Sequence, residues 1–169
     1  ITSLNFSGLR NVTNIGGLFL NCNRKLTGTL DLTSLSNVTT IGEYFMYACN
    51  HVVNVDMSTL TNVTSLTSTG FMSDNNYLTY IKLPAYYATF CNGFDSLGGH
   101  IHSNNGKIYV PTGQIQSWVN GINSISGIIE SNKVTSADFV EYLSIPIKYL
   151  ITLKLLNQYL HRWKTNILL

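Results

Sequence analysis

The amino-acid sequence predicts a β-rich repeat solenoid of parallel strands with a helical C-terminal region, and two periodic features of its 169 residues predict it. The first is a segment of the form Leu-x-Asn-Val-Thr that begins at Leu9, Leu35 and Leu60. The second is a short step, a three-residue segment of the form apolar-x-apolar, which recurs every 25–27 residues. These steps begin at Leu4, Leu30, Val55, Ile81 and Ile108. Self-similarity at a fixed period indicates stacked units of about 25–26 residues, so we expect these five residues to stack in one parallel sheet.

Each unit contains two short extended steps followed by a large apolar group. Apolar residues at i and i+2 face the same side of a strand, which suits a step such as Leu30-Asp31-Leu32. The Val-Thr-x-Ile-Gly step adds β-branched residues that favour extended backbone, and a glycine at a turn. One large apolar side chain per unit then follows, at Phe19, Phe45 and Phe71. No single unit can enclose a core, so we expect the stacked units to bury a continuous column of apolar residues.

This unit resembles a known family. The order of strand, Val-Thr-x-Ile-Gly, x-x-Phe and x-x-Cys-Asn resembles the BspA-like class of leucine-rich repeats, best over residues 35–57 and in outline over residues 1–125. Residues 107–111 and 114–118 are similar to the closing strand and helical cap of that family. Residues 84–107 are longer and less regular than a unit. The resemblance implies a leucine-rich-repeat-like solenoid over residues 1–132, in a secreted or cell-surface protein.

Residues 133–169 match nothing in the repeat and are predicted as a separate helical, basic and amphipathic segment. Ser136 is a candidate N-cap of a short helix, and Pro146 permits a new helix to start. Apolar residues then recur at steps of three and four, at Tyr149, Leu153, Leu156, Leu160, Trp163 and Ile167. Such a helix could cap the open end of the solenoid, form a coiled-coil or partner-binding seam, or lie on a membrane surface. A cloning or reading-frame artefact is a further alternative.

Charge is sparse and unevenly placed. Only 11% of the residues are charged, against roughly 25% in an average soluble domain. The net charge of +2 belongs to the tail, where residues 148–169 contain four basic residues and no acid. A positive balance confined to the tail predicts no nucleic-acid binding by the main body. The chain begins at Ile1, which indicates a fragment or a mature form, and it lacks an apolar run long enough for a transmembrane helix.

The sequence contains no recognisable catalytic constellation, and we expect no enzymatic activity, no cofactor and no metal ion. It lacks the Gly-x-Ser-x-Gly, P-loop and His-Glu-x-x-His motifs. His100 and His102 would share one face of a strand, but no Cys or carboxylate lies at ligand spacing, which favours a pair of solvated loop histidines. An enzyme with its site in the irregular segment 84–107 is disfavoured because Asp95 is the only acid there.

Cysteines and sequons recur with the repeat. Cys22 and Cys49 fall at nearly matching places in adjacent units, so a disulfide is geometrically possible, but buried free thiols are the favoured interpretation. Four Asn-x-Ser/Thr sequons begin at Asn5, Asn11, Asn37 and Asn62. For these we favour hydrogen bonding between adjacent units over glycosylation.

The outward-facing residues of the main strands form the candidate binding site. If the strands are in register, this face runs from an acidic end to a basic and aromatic end. Exposed tyrosine beside lysine is typical of protein recognition, and a solvated polar face is the alternative. We expect the two carboxylates to repel, which raises the pKa of at least one of them unless a cation or a donor intervenes. Thr29 and Asn54 are nearby donors that could relieve part of this repulsion, and we expect no bound calcium ion. The candidate partner-binding residues are Asp31, Asp56, Tyr80, Lys82, Lys107 and Tyr109.

Repeat arrays present long surfaces and usually bind rather than catalyse. The family resemblance implies a cell-surface or extracellular setting, with adhesion to host or matrix proteins or to other cells. The sequence therefore predicts a non-enzymatic binding or adhesion module that recognises a protein or glycan partner through the sheet face. The alternative is a purely structural spacer or stalk of a larger surface protein. Membrane contact is expected, if at all, only through residues 148–169.

Overall fold

A computed structural model describes residues 4–67 and 69–143. These residues form two parallel sheets. The smaller sheet has the order β1 (Asn14–Ile15), β3 (Thr40–Ile41), β5 (Ser65–Leu66). The larger sheet has the order β2 (Gly28–Asp31), β4 (Val52–Asp56), β6 (Tyr80–Lys82), β7 (Lys107–Pro111), β8 (Phe139–Tyr142). The helices in these ranges are α1 (Ala88–Cys91), α2 (Leu97–Ser103) and α3 (Ile115–Asn123), with 3-10 turns at Ser7–Leu9, Thr33–Leu35, Glu130–Asn132 and Ser136–Asp138.

The predicted fold class, a β-rich leucine-rich-repeat-like solenoid with a helical C-terminal region, is wrong. The described residues form an α/β-like arrangement of two small parallel sheets with a few short helices. The strands are short because much of each unit is turn, and β1, β3 and β5 have only two residues each. Residues 139–142, predicted within the helical segment, form β8 and pair with β7. Leu4 lies outside the strands, so the larger sheet begins at β2.

The apolar steps of the repeat determine the register of the larger sheet. Leu30 pairs with Val55, Val55 with Ile81, and Ile81 with Ile108. All four side chains are at most 2% exposed, so this row faces the core. Successive residues of a strand point to opposite faces, which places the polar neighbours of these residues on the outer face.

The phenylalanine-containing segments form a further hydrogen-bonded ladder, which is built from turns and which we call the turn ladder. Backbone N–H groups of one segment donate to carbonyls of the next, as from Leu18 to Glu43 and from Cys22 to Tyr47, at 2.8 Å each. Every second residue has a positive φ: Leu18, Leu20 and Cys22 in one segment, then Tyr44, Met46 and Ala48, then Met72 and Asp74. Such left-handed conformations are uncommon outside glycine. This non-extended backbone is why the predicted β content is too high.

The predicted phenylalanine column forms the centre of the core. The ring centroids of Phe19 and Phe45 are 5.4 Å apart, and those of Phe45 and Phe71 are 5.1 Å apart, with nearly parallel planes. Phe45 and Phe71 are buried, whereas Phe19 is half-buried near the end of the column, where it contacts Phe6. At the other end, the edge-to-face contacts of Phe71 with Phe94 continue the column into the helical part of the chain.

Asparagine and threonine side chains hydrogen-bond between adjacent units. The Asn37 amide donates to the Arg10 carbonyl at 2.7 Å, and the Asn62 amide donates to the Ser36 carbonyl at 2.9 Å. The Thr39 hydroxyl donates to a backbone carbonyl of the preceding unit at 3.0 Å. These contacts confirm the hydrogen-bonding interpretation of the sequons at Asn37 and Asn62.

The irregular segment folds into α1 and α2, which close the core together with α3. Phe94 contacts the edge of Trp118, and the Trp118 indole N–H donates to the Pro84 carbonyl at 3.3 Å. Helix α2 lies against the backbone of residues 131–133, and a side chain at Gly98 would collide with the Asn132 carbonyl. Glycine is therefore required at this close approach.

The described chain ends on β8. The short helix predicted with Ser136 as its cap is a 3-10 turn at Ser136–Asp138, and its N-cap is Thr135. Thr135 and Asp138 form a reciprocal capping box, because the Asp138 carboxylate accepts from the Thr135 backbone N–H at 2.7 Å. The basic amphipathic helix predicted over residues 149–167 lies outside the described residues.

Candidate functional site

The outer face of the larger sheet carries two rows of side chains in register. The first row is Thr29, Asn54, Tyr80 and Lys107, on β2, β4, β6 and β7. The second row is Asp31, Asp56, Lys82, Tyr109 and Val140, one from each of the five strands. The structure therefore brings all six sequence-predicted residues onto one surface. We call this surface the sheet face.

The acidic end of the sheet face contains two separately stabilised carboxylates. Oδ1 of Asp31 accepts from the hydroxyl and the backbone N–H of Thr33, at 2.6 and 2.9 Å. Oδ1 of Asp56 accepts the same pair of hydrogen bonds from Ser58, at 2.6 and 2.9 Å. The Thr33 hydroxyl, and then its N–H, hold the pKa of Asp31 below the ordinary value. The exception to the expected rise in pKa therefore holds at Asp31, where donors stabilise the charged form, but the donors belong to Thr33 and not to Thr29 or Asn54.

Lys82 lies between an acid and an aromatic ring. Its Nζ is 3.6 Å from Oδ2 of Asp56 and 4.5 Å from the ring centroid of Tyr142. A cation over a ring face is attracted by the ring electrons, so both neighbours hold this lysine in place. Asp31 has no basic group at ion-pair distance within the described ranges, so its Oδ2 is the unneutralised acidic group of the sheet face.

Three tyrosines form the aromatic part of the sheet face. The rings of Tyr80 and Tyr109 pack against each other with centroids 4.4 Å apart and an interplanar angle of 35°. The Tyr142 hydroxyl donates to the Leu83 carbonyl at 2.7 Å, which holds its ring across β7. Burial, and then the charge of Asp56, raise the pKa of Tyr80 and raise the pKa of Tyr142 to about 12. Both hydroxyls therefore stay protonated and able to donate at neutral pH.

The ammonium group of Lys107 is engaged in a structural contact within the protein. Its Nζ donates to the Ala137 carbonyl at 2.6 Å, which ties β7 to the turn that precedes β8. The basic end predicted from the sequence is thus weaker than expected, because Lys82 is paired and Lys107 is engaged with backbone.

Sequence reasoning missed the contribution of β8 to the sheet face. Val140 is 37% exposed beside Tyr109, Tyr142 contacts Lys82, and Leu143 at the end of the strand is 81% exposed. Phe139, Val140 and Tyr142 are aromatic or β-branched residues, which are enriched in strands, and this signal could have identified β8.

A second candidate site is a polar cleft of about 580 Å³ beside α2. Its lining is Asp74, Ser96, Gly99, His100, His102, Ser103, Ser131 and Asn132. Both histidines lie on α2, so their expected placement on a strand or loop is wrong, and residues two apart on a helix do not share a face. His102 Nε2 is 3.2 Å from Oδ2 of Asp138. Burial lowers the pKa of His100, whose buried Nε2 has no hydrogen-bond partner in the described chain.

The cysteines form no disulfide within the described residues. Cys22 is exposed, whereas Cys49 and Cys91 are buried. Burial raises the pKa of Cys49 to about 11 and that of Cys91 to about 12, so both thiols stay protonated. The interpretation as a buried free thiol is confirmed for Cys49 and wrong for Cys22. Residues 4–67 and 69–143 contain no group of three or more His, Cys, Asp or Glu that could hold a metal ion.

None of the helices in the described ranges has the length and apolar character that a membrane crossing requires. Comparison of the whole chain with protein-family models, with curated proteins and with solved structures finds no match.

Proposed function

We propose that this chain is a non-enzymatic binding module that recognises a partner protein through the sheet face, in a cell-surface or extracellular setting. The observation that supports the proposal is the aromatic cluster of Tyr80, Tyr109 and Tyr142 around Lys82, directly beside two carboxylates. Tyrosine is enriched at protein interfaces because its ring buries apolar area while its hydroxyl can hydrogen-bond.

The arrangement of the sheet face suits binding better than it suits catalysis. Both carboxylates are hydrogen-bonded at Oδ1 to side chains and backbone of their own turns. Burial raises the pKa of Tyr80 and of Tyr142, so their hydroxyls stay protonated, and no histidine or cysteine belongs to either row. These contacts fix the groups in place as a hydrogen-bonding and packing surface.

The proposal is tested with a panel of purified matrix proteins and immobilised glycans, against the full chain by surface plasmon resonance. We expect saturable binding of a protein ligand, and we expect the combined change Tyr80→Ala, Lys82→Ala and Tyr109→Ala to weaken it at least tenfold, since central tyrosines often dominate binding energy.

The matched control is Tyr47→Ala, Tyr77→Ala and Lys25→Ala, which removes two tyrosines and one lysine outside the sheet face. Equal losses for the two triple variants would refute the sheet face as the binding surface. Absence of any ligand across a broad panel would favour the spacer alternative.

A further inference from the structure

The width of the sheet face limits the length of ligand that can lie across it. The second row contains one residue from each of five adjacent strands, from Asp31 on β2 to Val140 on β8. Neighbouring strands are about 4.8 Å apart, so the row spans roughly 19 Å. A polyproline II segment rises about 3.1 Å per residue, so six or seven residues cross the row.

The packing of the tyrosine rings limits which of their surfaces a ligand can contact. Side chains on a sheet stand roughly perpendicular to it. Because the rings of Tyr80 and Tyr109 pack on each other at 4.4 Å, their facing sides are covered and the pair forms a ridge. Val140 lies next to Tyr109 in register and is 37% exposed, so an exposed apolar side chain borders the ridge. A proline ring can pack against the ridge and Val140, whereas a sugar stacks best on an open ring face.

The ridge also offers hydrogen-bond donors. The hydroxyls of Tyr80 and Tyr109 have no hydrogen-bond partner among the residues that the structure describes. A polyproline II backbone makes no internal hydrogen bonds, so its carbonyls are free to accept from these hydroxyls.

Charge distinguishes the two ends of the row. Asp56 is neutralised by Lys82 at 3.6 Å, whereas Asp31 is exposed with no basic group within ion-pair distance in the described chain. A ligand of complementary charge therefore carries its basic residue at the β2 edge and its proline residues over the tyrosines.

We propose that the sheet face recognises an extended, proline-rich segment of a partner protein, with a basic residue seated at Asp31 and prolines against the Tyr80–Tyr109 ridge. This inference rests on the proposed binding function of the sheet face and names the class of its partner. The recognition combines a preformed extended ligand, which loses little entropy on binding, with charge complementarity at one end.

The test uses three fluorescein-labelled peptides of eight residues and fluorescence anisotropy with the full chain. One peptide has an arginine followed by seven prolines, one has an alanine followed by seven prolines, and one has an arginine followed by seven glycines. We expect the arginine–proline peptide to bind about two- to fivefold more tightly than the alanine–proline peptide, as an exposed ion pair provides. We expect the glycine peptide to bind at least tenfold more weakly, since it lacks the rings and the preformed conformation.

Matched variants locate the contact. Asp31→Asn should remove the preference for the arginine–proline peptide over the alanine–proline peptide. Tyr109→Ala should lower the affinity for both proline peptides. The controls Asp74→Asn and Tyr77→Ala change an exposed acid and an exposed tyrosine elsewhere, and they should alter neither the preference for arginine nor the affinity for the proline peptides. No binding of the proline peptides, or a preference for arginine that survives Asp31→Asn, overturns the inference. If a protein partner still requires Tyr80, Lys82 and Tyr109 in that case, the binding function stands and only the proline-rich class is excluded. Saturable glycan binding at the same tyrosines, without peptide binding, likewise overturns it.

Discussion

Phe45 lies in the middle of the phenylalanine column. It is fully buried between Phe19 and Phe71, so the rings on either side prevent the site from collapsing after truncation. We expect Phe45→Ala to lower the free energy of unfolding by about 3–5 kcal/mol, measured by urea denaturation. Phe19→Ala is the control, and it should cost less because Phe19 is only half-buried. A loss below about 1 kcal/mol at Phe45 would show that this ring is not part of the core.

Asn75 is the buried polar residue that closes the turn ladder. Its Oδ1 accepts from the Cys49 backbone N–H at 3.0 Å, and its Nδ2 donates to the carbonyls of Met46 and Met72 at 3.0 and 2.7 Å. Asn75→Ala leaves these three backbone groups without partners in a dry environment, at about 1–3 kcal/mol for each. We expect a total loss of at least about 3 kcal/mol in urea unfolding.

The adjacent residue provides the control for this change. Asn76→Ala alters an exposed side chain and should change stability by no more than about 0.5 kcal/mol. Similar effects at both positions would contradict the role assigned to the Asn75 side chain.

The two residues also show what the sequence allows to be predicted. The phenylalanine column follows from a period in one residue type, whereas Asn75 breaks the Cys-Asn pattern of the earlier units. Its role depends on carbonyls of a neighbouring unit that no local pattern identifies.

Among the elements, β8 depends on a capping box and on α2. The Asp138 carboxylate accepts from the Thr135 backbone N–H at 2.7 Å and lies 3.2 Å from His102 Nε2. Burial opposes the charged form, but the Thr135 N–H and His102 outweigh it, so the pKa of Asp138 lies below its ordinary value. A carboxyl group with a lowered native pKa stabilises the fold above its unfolded pKa of about 3.9, and this contribution is lost as the pH falls through the native value.

We therefore expect Asp138→Asn to be less stable than the unmodified chain at pH 7, with a difference that shrinks as the pH falls below about 4. Thermal unfolding between pH 7 and pH 2.5 measures it. Glu130→Gln serves as the comparison, because Glu130 is 87% exposed and should show little difference at any pH. A gap for Asp138→Asn that stays constant down to pH 2.5 would mean that the carboxylate charge is not its origin.

Regular and irregular elements differ in how far the sequence predicts them. Strands β2, β4, β6 and β7 coincide with the apolar steps because a period-two pattern repeated at a constant spacing sets both location and register. Helices α1 and α2 lie in residues 84–107, where the period is lost and Gly98 is needed for a contact with Asn132 that only the folded chain creates. The cleft beside α2 could not be predicted from the sequence for the same reason, because its lining residues come from three separate stretches of sequence.

At the scale of the whole molecule, the sheet face assembles side chains from five strands that are distant in sequence. The positions on β2, β4, β6 and β7 were predictable because equal spacing in the sequence becomes adjacency in the sheet, whereas Val140 on β8 lies outside that spacing. The partners of its charged side chains were not predictable. Lys82 forms an ion pair with Asp56, and Lys107 donates to the Ala137 carbonyl, only in the folded chain. The predicted fold class was wrong because the turn ladder and helices α1, α2 and α3 contain as much of the chain as the strands do.

The acidic end should matter for binding and little for folding. Asn at positions 31 and 56 keeps an oxygen that can accept the N–H groups of Thr33 and Ser58, so we expect Asp31→Asn with Asp56→Asn to retain the fold, with a change of no more than about 1 kcal/mol in urea unfolding. A partner bound through the sheet face should be captured more weakly. The loss should be larger at 20 mM than at 300 mM salt, because exposed charges are screened beyond about 10 Å at 0.1 M. Unchanged affinity at both salt concentrations, together with unchanged affinity in the Tyr80, Lys82 and Tyr109 alanine variant, would exclude the sheet face and make the His100–His102 cleft or residues 148–169 the next surfaces to test.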